Sequence, residues 1–418
     1  MRTADSTHAP DSVGRALAAV LALLTIFGPI SMDLYLPVLP RLTDELGTAT
    51  SVAQLTITAC LLGLALGQVV AGPLSDRFGR RRPLLVGVVA FIATSIGCAI
   101  SPSVEVLVGA RFVQGLAGAV GIVIAQAAGR DIYSGGRLAR YYGRLTMLGG
   151  LTAIAGPVAG GQLAKVTDWR GTFLFLALVG AVILAAVVFV MRETLPPERR
   201  IAGGLGQTVG DFRRLVGDRV FLGAVLVTGF ANAALFAYLS GATFVLQDIY
   251  GLSPQGYSLA FGLNSLGFMI FGFLSGRATE RWSAARTLPA GLVMCLVGSS
   301  GMLLTATLHL PLVAVLLSLL TMVSGVAAIT PPASALALAS YPDMAGTAGS
   351  LLGLARFGFG GFAAPLIGLA GSGSALPLGI VTVAPMALAA WSYAALVRSR
   401  PLRTARFRRP PTPVTEAL

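Results

Sequence analysis

Gly72-Pro-Leu-Ser-Asp-Arg-Phe-Gly-Arg-Arg-Arg82 sets two glycines, one acid and four arginines between two long apolar runs, 51–73 and 83–101. A helix rises roughly 1.5 Å per residue, so about 20 apolar residues cross the hydrocarbon core of a bilayer. The stretch therefore reads as a tight polar turn between two membrane-spanning helices. Gly72 and Gly79 let the helix ends and the turn approach closely. Asp76 can pair with Arg77, Arg80 or Arg81, or cap a helix N-terminus. Such a latch would hold one side of the protein shut in one state and release it in another. The plainer alternative is a generic basic turn.

Outward from this turn the same pattern repeats. Apolar runs lie at 16–38, 51–73, 83–101, 103–127, 143–164 and 172–192, then at 219–246, 256–276, 287–308, 310–335, 345–370 and 375–397. A polar stretch, 193–218, separates the two sets of six, and a basic tail fills 398–418. The chain is 55% hydrophobic and only 11% charged, too few polar side chains to coat a water-soluble fold. The first run is too long for a cleavable leader and is followed by further spans. The expectation is an all-α membrane protein with twelve transmembrane helices in two pseudo-symmetric halves, 1–192 and 219–397, joined by a central loop.

The charges sort by side. With the N-terminus in the cytoplasm, 25 of the 30 basic residues fall on that face, in the two tails, the turns after spans two, four and eight, and the central loop. The other face carries Arg41, Lys165 and Arg170, while Arg111 and Arg356 lie inside spans. This is a positive-inside distribution, with both termini cytoplasmic. It accounts for the net charge of +13 without nucleic acid; the basic tail is expected to meet anionic lipid headgroups. Arginine dominates, Lys165 being the single lysine, and with the abundant Ala, Gly and Pro this fits a GC-rich bacterial genome. Cys60, Cys98 and Cys295 each sit in an apolar run, so no disulfide framework is implied. His8 and His309 lie far apart, and no metal or cofactor is expected.

An internal echo supports the two halves. Gly72–Arg81 aligns over Gly272-Phe-Leu-Ser-Gly-Arg-Ala-Thr-Glu-Arg281 with five of ten positions identical, and Ala155-Gly-Pro-Val-Ala-Gly160 aligns over Ala363-Ala-Pro-Leu-Ile-Gly368. Parallel repeats of this kind build transporters whose cargo binds near the midplane between the halves. In the second copy Gly276 replaces Asp76 and Glu280 replaces Arg80, so a latch should depend mainly on the first half.

Two further stretches carry function. Leu107-Val-Gly-Ala-Arg-Phe-Val-Gln-Gly115 places Arg111 at membrane depth, where a charge faces a partner or a wet cavity. The alternative is a structural arginine that holds carbonyls or a neighbouring helix. Gly156-Pro-Val-Ala-Gly-Gly161 sets Pro157 among Gly156, Gly160 and Gly161, which suits either close helix packing or a bend on which the halves rock.

These three stretches resemble the major facilitator superfamily: its signature loop between spans two and three, its arginine motif in span four and the drug–proton antiporter motif in span five. Arg192-Glu-Thr-Leu195 resembles the drug exporters as well. Met32-Asp-Leu-Tyr-Leu-Pro37 with Leu39-Pro40 resembles the Bcr/CflA group of drug-resistance exporters, which includes phenicol exporters.

Asp33 is the one carboxylate clearly inside the first run. It lies seven residues before Pro40 and Arg111 eight after Ser103, so they sit about 10 Å and about 12 Å inside the outer surface and could share one cavity. An interfacial acid near the outer surface is the alternative for Asp33. Desolvation favours the protonated acid and a nearby arginine favours the carboxylate, so opening of the cavity or arrival of a drug would tip the balance. Protonation and drug occupancy would then exclude each other. The Bcr/CflA resemblance implies the same role for Asp33.

Tyr35, Gln114, Asn232, Phe236, Tyr238, Arg356, Phe357 and Phe359 are candidate cavity-lining residues, each weighed against simple core packing. The expected function is proton-driven efflux of small amphipathic drugs, chloramphenicol and florfenicol among the candidates, from the cytoplasm of a bacterium by a monomer in the inner membrane. The alternative is transport of a metabolite such as an amino-acid derivative or a sugar. The chain lacks a phosphate-binding Gly-x4-Gly-Lys-Ser/Thr loop, which excludes ATP use by this chain, and lacks the clustered acids and histidines of a membrane enzyme.

Overall fold

The computed structural model describes residues 11–133, 135–200, 205–339, 341, 345–369 and 374–398. The first ten residues, His8 among them, and the basic tail beyond 398 lie outside the described residues. Fourteen α-helices follow in chain order: α1 (Asp11–Asp33), α2 (Leu39–Glu45), α3 (Thr50–Phe78), α4 (Arg81–Ala99), α5 (Val104–Ile132), α6 (Gly135–Val166), α7 (Trp169–Val190), α8 (Leu205–Gly217), α9 (Arg219–Thr243), α10 (Pro254–Trp282), α11 (Ala284–Leu308), α12 (Leu312–Ala339), α13 (Ala345–Leu369) and α14 (Leu376–Ser392).

Eleven of these, all but α2, α6 and α8, are long and apolar enough to cross a membrane. α6 is the twelfth span. It runs for 32 residues, but its glycines and the arginines of its first turns dilute its hydropathy. Its backbone stays helical through Pro157, as membrane helices tolerate when neighbours satisfy the freed carbonyl. Side chains cap several helix starts: Asp168 accepts from the Gly171 N–H at 2.8 Å, Asp218 from the Val220 N–H at 2.8 Å and Ser253 from the Gly256 N–H at 3.1 Å.

The helices form two bundles, each with its own apolar interior. α1 and α3–α7 bury Leu21, Leu24, Phe27, Leu64, Phe91, Trp169 and Phe173. α9–α14 bury Tyr238, Leu292, Cys295, Met302, Leu319, Met322 and Met386. In lipid there is little hydrophobic drive between helices, so close packing of small residues must hold them. Gly63 of α3 lies against the Phe112 carbonyl of α5, and Gly115 of α5 against the Cys60 carbonyl of α3; any Cβ would force the pair apart. The bundles meet along α3 against α13 and α6 against α10.

The stretch 193–218, expected as a loop, contains helix instead. A single 3-10 turn covers Pro197–Arg199, and α8 lays Phe212 and Leu215 on Phe221, Ala337, Ala348 and Leu351 of the second bundle. Thirteen residues are too few to span a bilayer, so a reading based on hydropathy passes over an amphipathic helix that packs on protein.

Candidate functional site

Asp33 is the last residue of α1, where the chain leaves the helix through a turn and a 3-10 segment, Leu36–Val38. It is 9% exposed. α6 makes room for it. A Cβ at Gly156 would overlap the Asp33 Cβ, and one at Gly160 would lie 2.5 Å from the Leu34 carbonyl oxygen. Gly156 and Gly160 are one turn apart on one face, so they form the groove in which the end of α1 sits. Gly161 points into open space. Pro157 lies in the same helix; its side chain is outside the described set.

Arg111 does not turn toward Asp33. It is fully buried in the first bundle, where it donates to Gln114 Oε1 at 2.6 Å and to the Ser31 carbonyl at 3.4 Å. Its guanidinium lies 4.9 Å from the ring centre of Tyr35 and 5.5 Å from that of Phe173. Gln114 passes the network on to Ser95 at 2.7 Å, and the Tyr35 hydroxyl meets Thr56 at 2.9 Å. Arg111, Gln114 and Tyr35 thus tie α1, α3, α4, α5 and α7 together inside one bundle, rather than lining a space between bundles. The charge that bears on Asp33 is Arg356, on α13 of the other bundle.

In the second bundle Tyr238 accepts from Asn264 at 2.9 Å and stacks on Phe261, an interior position. Asn232 donates back to the Thr228 carbonyl of its own helix at 2.8 Å. Phe236 and Phe357 meet with ring centres 6.2 Å apart and join the apolar interior of the first bundle, so they close the seam between the two. Phe359 packs edge-on to Phe230 at 5.0 Å. A wholly apolar groove of about 270 Å³ between α1 and α7, lined by Leu23, Phe27, Ile30, Phe175 and Leu178, lies on the outer flank and holds none of these groups.

The arginine-rich end of the first bundle carries a charge network. Gly79 ends α3 with φ at 84°, a left-handed conformation that favours glycine. Arg80 then folds back: it donates to Asp76, to Ser75 Oγ at 2.7 Å and to Asp131 Oδ2 at 2.9 Å. Burial works against its charge, but the two carboxylates outweigh this and hold its proton more firmly than usual. Glu193, beyond α7, accepts the backbone N–H of Arg80 at 2.8 Å and of Arg81 at 3.3 Å, at the start of α4. Burial pushes the Glu193 carboxyl up; these N–H groups, that of Leu195 and the charge of Arg200 together hold it below the usual glutamate range. Thr194 donates to Asp131 at 3.0 Å, and Arg81 to the Val188 carbonyl at 3.0 Å. Arg77 lies over the neighbouring Phe78 ring.

Asp131 is central here although no motif of the sequence contains it, and Glu193 enters the sequence reading only as part of Arg192-Glu-Thr-Leu195. The available signal was an acid at each of two helix ends in an otherwise basic surface, in Gly129-Arg-Asp131 and Arg192-Glu-Thr-Leu195. The described partners of the network all come from the first bundle and from the segment 193–200 that follows it. The equivalent turn of the second bundle is held by neutral bonds: Ser275 donates to the Ala328 carbonyl at 2.6 Å, and the hydroxyls of Thr279 and Thr287 meet at 3.0 Å.

The Major Facilitator Superfamily model matches residues 21–365. The chain is 33% identical over 396 residues to the uncharacterized MFS-type transporter YdgK of Bacillus subtilis strain 168, covering 94% of this chain and 98% of that one. It is 30% identical over 358 residues to a bicyclomycin resistance protein homolog of Haemophilus influenzae, covering 86% and 90%. To a chloramphenicol resistance protein of Pseudomonas aeruginosa it is 31% identical over 288 residues, 68% of each chain. Among solved structures, a D-xylose–proton symporter superposes with a TM-score of 0.73 at 15% identity, covering 90% of this chain and 97% of that one.

Proposed function

Because the chain belongs to the major facilitator superfamily, a family of membrane transporters and not of enzymes, we propose that it exports small amphipathic drugs in exchange for protons. The observation that carries this reading is the placement of Asp33. A single carboxylate ends α1 at membrane depth, seated on the glycine face of α6 and facing a cation across the seam. A buried carboxyl that gains and loses a proton as the seam opens to one side or the other is the simplest proton carrier for alternating access. Relatives named for bicyclomycin and chloramphenicol resistance support a drug as cargo; phenicols are the first class to try. The arginine-rich end faces the cytoplasm of a bacterial inner membrane, with anionic headgroups beside it, and one chain forms the complete pathway.

The test is drug accumulation in an efflux-deficient bacterium that expresses the protein, across a panel with chloramphenicol and florfenicol, with and without a protonophore. Lower accumulation of one class, restored by the protonophore and by Asp33→Asn, is the expected result. Full pumping by Asp33→Asn with a normal response to the proton gradient would remove Asp33 from the mechanism. No change for any drug, with the protein confirmed in the membrane, would point to a metabolite as cargo.

A further inference from the structure

Arg356 is a cation in the middle of α13 with an exposed side chain. A guanidinium at membrane depth is costly without a partner or a wet cavity. Arg356 makes no ion pair: those among the described residues are Arg80–Asp76, Arg80–Asp131 and Arg200–Glu193. Its direction follows from its neighbours on the helix. Gly353, Arg356 and Gly360 lie on one stripe, three and four residues apart. A Cβ on Gly353 would sit 2.7 Å from Gln68 Oε1 of α3 in the first bundle, and Gly360 packs on Phe236 of α9. Arg356 therefore projects into the seam, where its charge and that of Asp33 act on each other without an ion pair.

The other groups around the two are accounted for. Near Asp33, α6 presents Gly156, α5 presents Arg111 committed to Gln114, Ser31 and Met32, α3 presents Cys60 against Ser31, and α7 presents Phe173 against Tyr35. Arg356 itself lies over the ring of the neighbouring Phe357 at 5.4 Å; on its stripe, α3 presents Gln68 to Gly353 and α9 presents Phe236 to Gly360, all neutral.

We propose that Asp33 and Arg356 form a latch between the two halves that holds the empty, deprotonated transporter in place. A carboxylate on one half and a guanidinium on the other attract across the low-dielectric seam, and a small closing motion brings them into contact. Two events release them. A proton neutralises Asp33, or a cargo inserts its own polar groups between the two. An antiporter needs this rule, because a carrier that returns empty and deprotonated lets protons leak without moving cargo. The inference rests on the proton-carrying reading of Asp33 and on no particular drug.

The test uses the full-length protein in proteoliposomes with an entrapped pH dye, an imposed proton gradient and no drug. Arg356→Gln is expected to raise drug-free proton flux roughly tenfold, within the range of ordinary coupling between sites, and Arg356→Lys to bring it back toward the wild-type level. In an Asp33→Asn background the same Arg356→Gln change should add nothing. Wild-type flux in Arg356→Gln, or an equal rise with and without Asp33, overturns the latch. Should the Arg356 variants fail to fold, hydrogen exchange along α1 and α13 decides: Asp33→Asn should exchange faster than the wild type near the seam, and equal exchange overturns the proposal. These readouts contain no drug, so a failed drug panel for the wild type would end the drug reading and leave the latch to stand or fall by flux and exchange.

Discussion

Arg80 and Asp131, brought together from the α3–α4 turn and the end of α5, join at 2.9 Å with the guanidinium almost wholly buried. The bond ties two helix ends that the chain places 51 residues apart. Asp131→Ala leaves a buried charge short of acceptors, which costs about 1–3 kcal/mol. Thermal unfolding in detergent should show the loss. Adding Arg80→Met should cost less than the sum of the two single changes, because the groups act as a pair. Strict additivity would mean that the contact contributes nothing to stability.

Glu193 makes the same end of the protein sensitive to acid. Its native carboxyl titrates below the ordinary glutamate value of 4.5, against the pull of burial, because the backbone N–H groups of Arg80, Leu195 and Arg81 and the charge of Arg200 favour the carboxylate. A depressed native value means that the unfolded chain binds the proton more readily. The stabilisation is therefore complete above the unfolded value and disappears as pH falls through the native one. The gap in melting temperature between wild type and Glu193→Gln should be flat across neutral pH and narrow below the glutamate range. A gap that widens on acidification would reverse the assigned sign.

Hydropathy marks eleven of the spans, because lipid leaves a chain few options beyond helices of fixed minimum length, while the glycines of α6 dilute its signal. It passed over α8, whose apolar face is too short to register as a span and packs on the second bundle instead. The depth arithmetic for Asp33 and Arg111 fixes height along a helix but not direction around it. Arg111 lies three residues before Gln114, on the same face, and that local acceptor with the Ser31 carbonyl takes the guanidinium into the bundle. The cation opposite Asp33 comes from the other half of the chain, at a sequence distance that no local pattern encodes. Asp76 and Arg80 were legible because they sit in one turn, four residues apart. Asp131 and Glu193 converge on that turn only through the tertiary fold.

Arg111 should therefore matter for stability before transport. Arg111→Ala removes the donors that satisfy Gln114 and the Ser31 carbonyl, each buried, and should cost about 1–3 kcal/mol for each group left unpaired. Arg111→Lys keeps the charge but not the planar fork that reaches both, and should fall between alanine and wild type in melting temperature. If Arg111→Lys matched the wild type in stability yet lost the pH dependence of efflux, Arg111 would be a titration partner of Asp33 rather than a tie within the bundle.

Two glycines of α6 supply the sharpest contrast. Gly156 faces the Asp33 Cβ with no room for a methyl group, while Gly161 has nothing within 4 Å. Both substitutions to alanine favour helix in the abstract, so intrinsic propensity cannot separate them. Overpacking can: Gly156→Ala must displace the end of α1, at a cost of about 1–3 kcal/mol, and it moves the one carboxylate that the proposed exchange depends on. Gly156→Ala should lose most protonophore-sensitive efflux, and Gly161→Ala should keep it, at matched membrane abundance. A Gly156→Ala variant that pumps as well as Gly161→Ala would mean that the seat of Asp33 is not held to this geometry, and the proton-carrying role would lose its structural support.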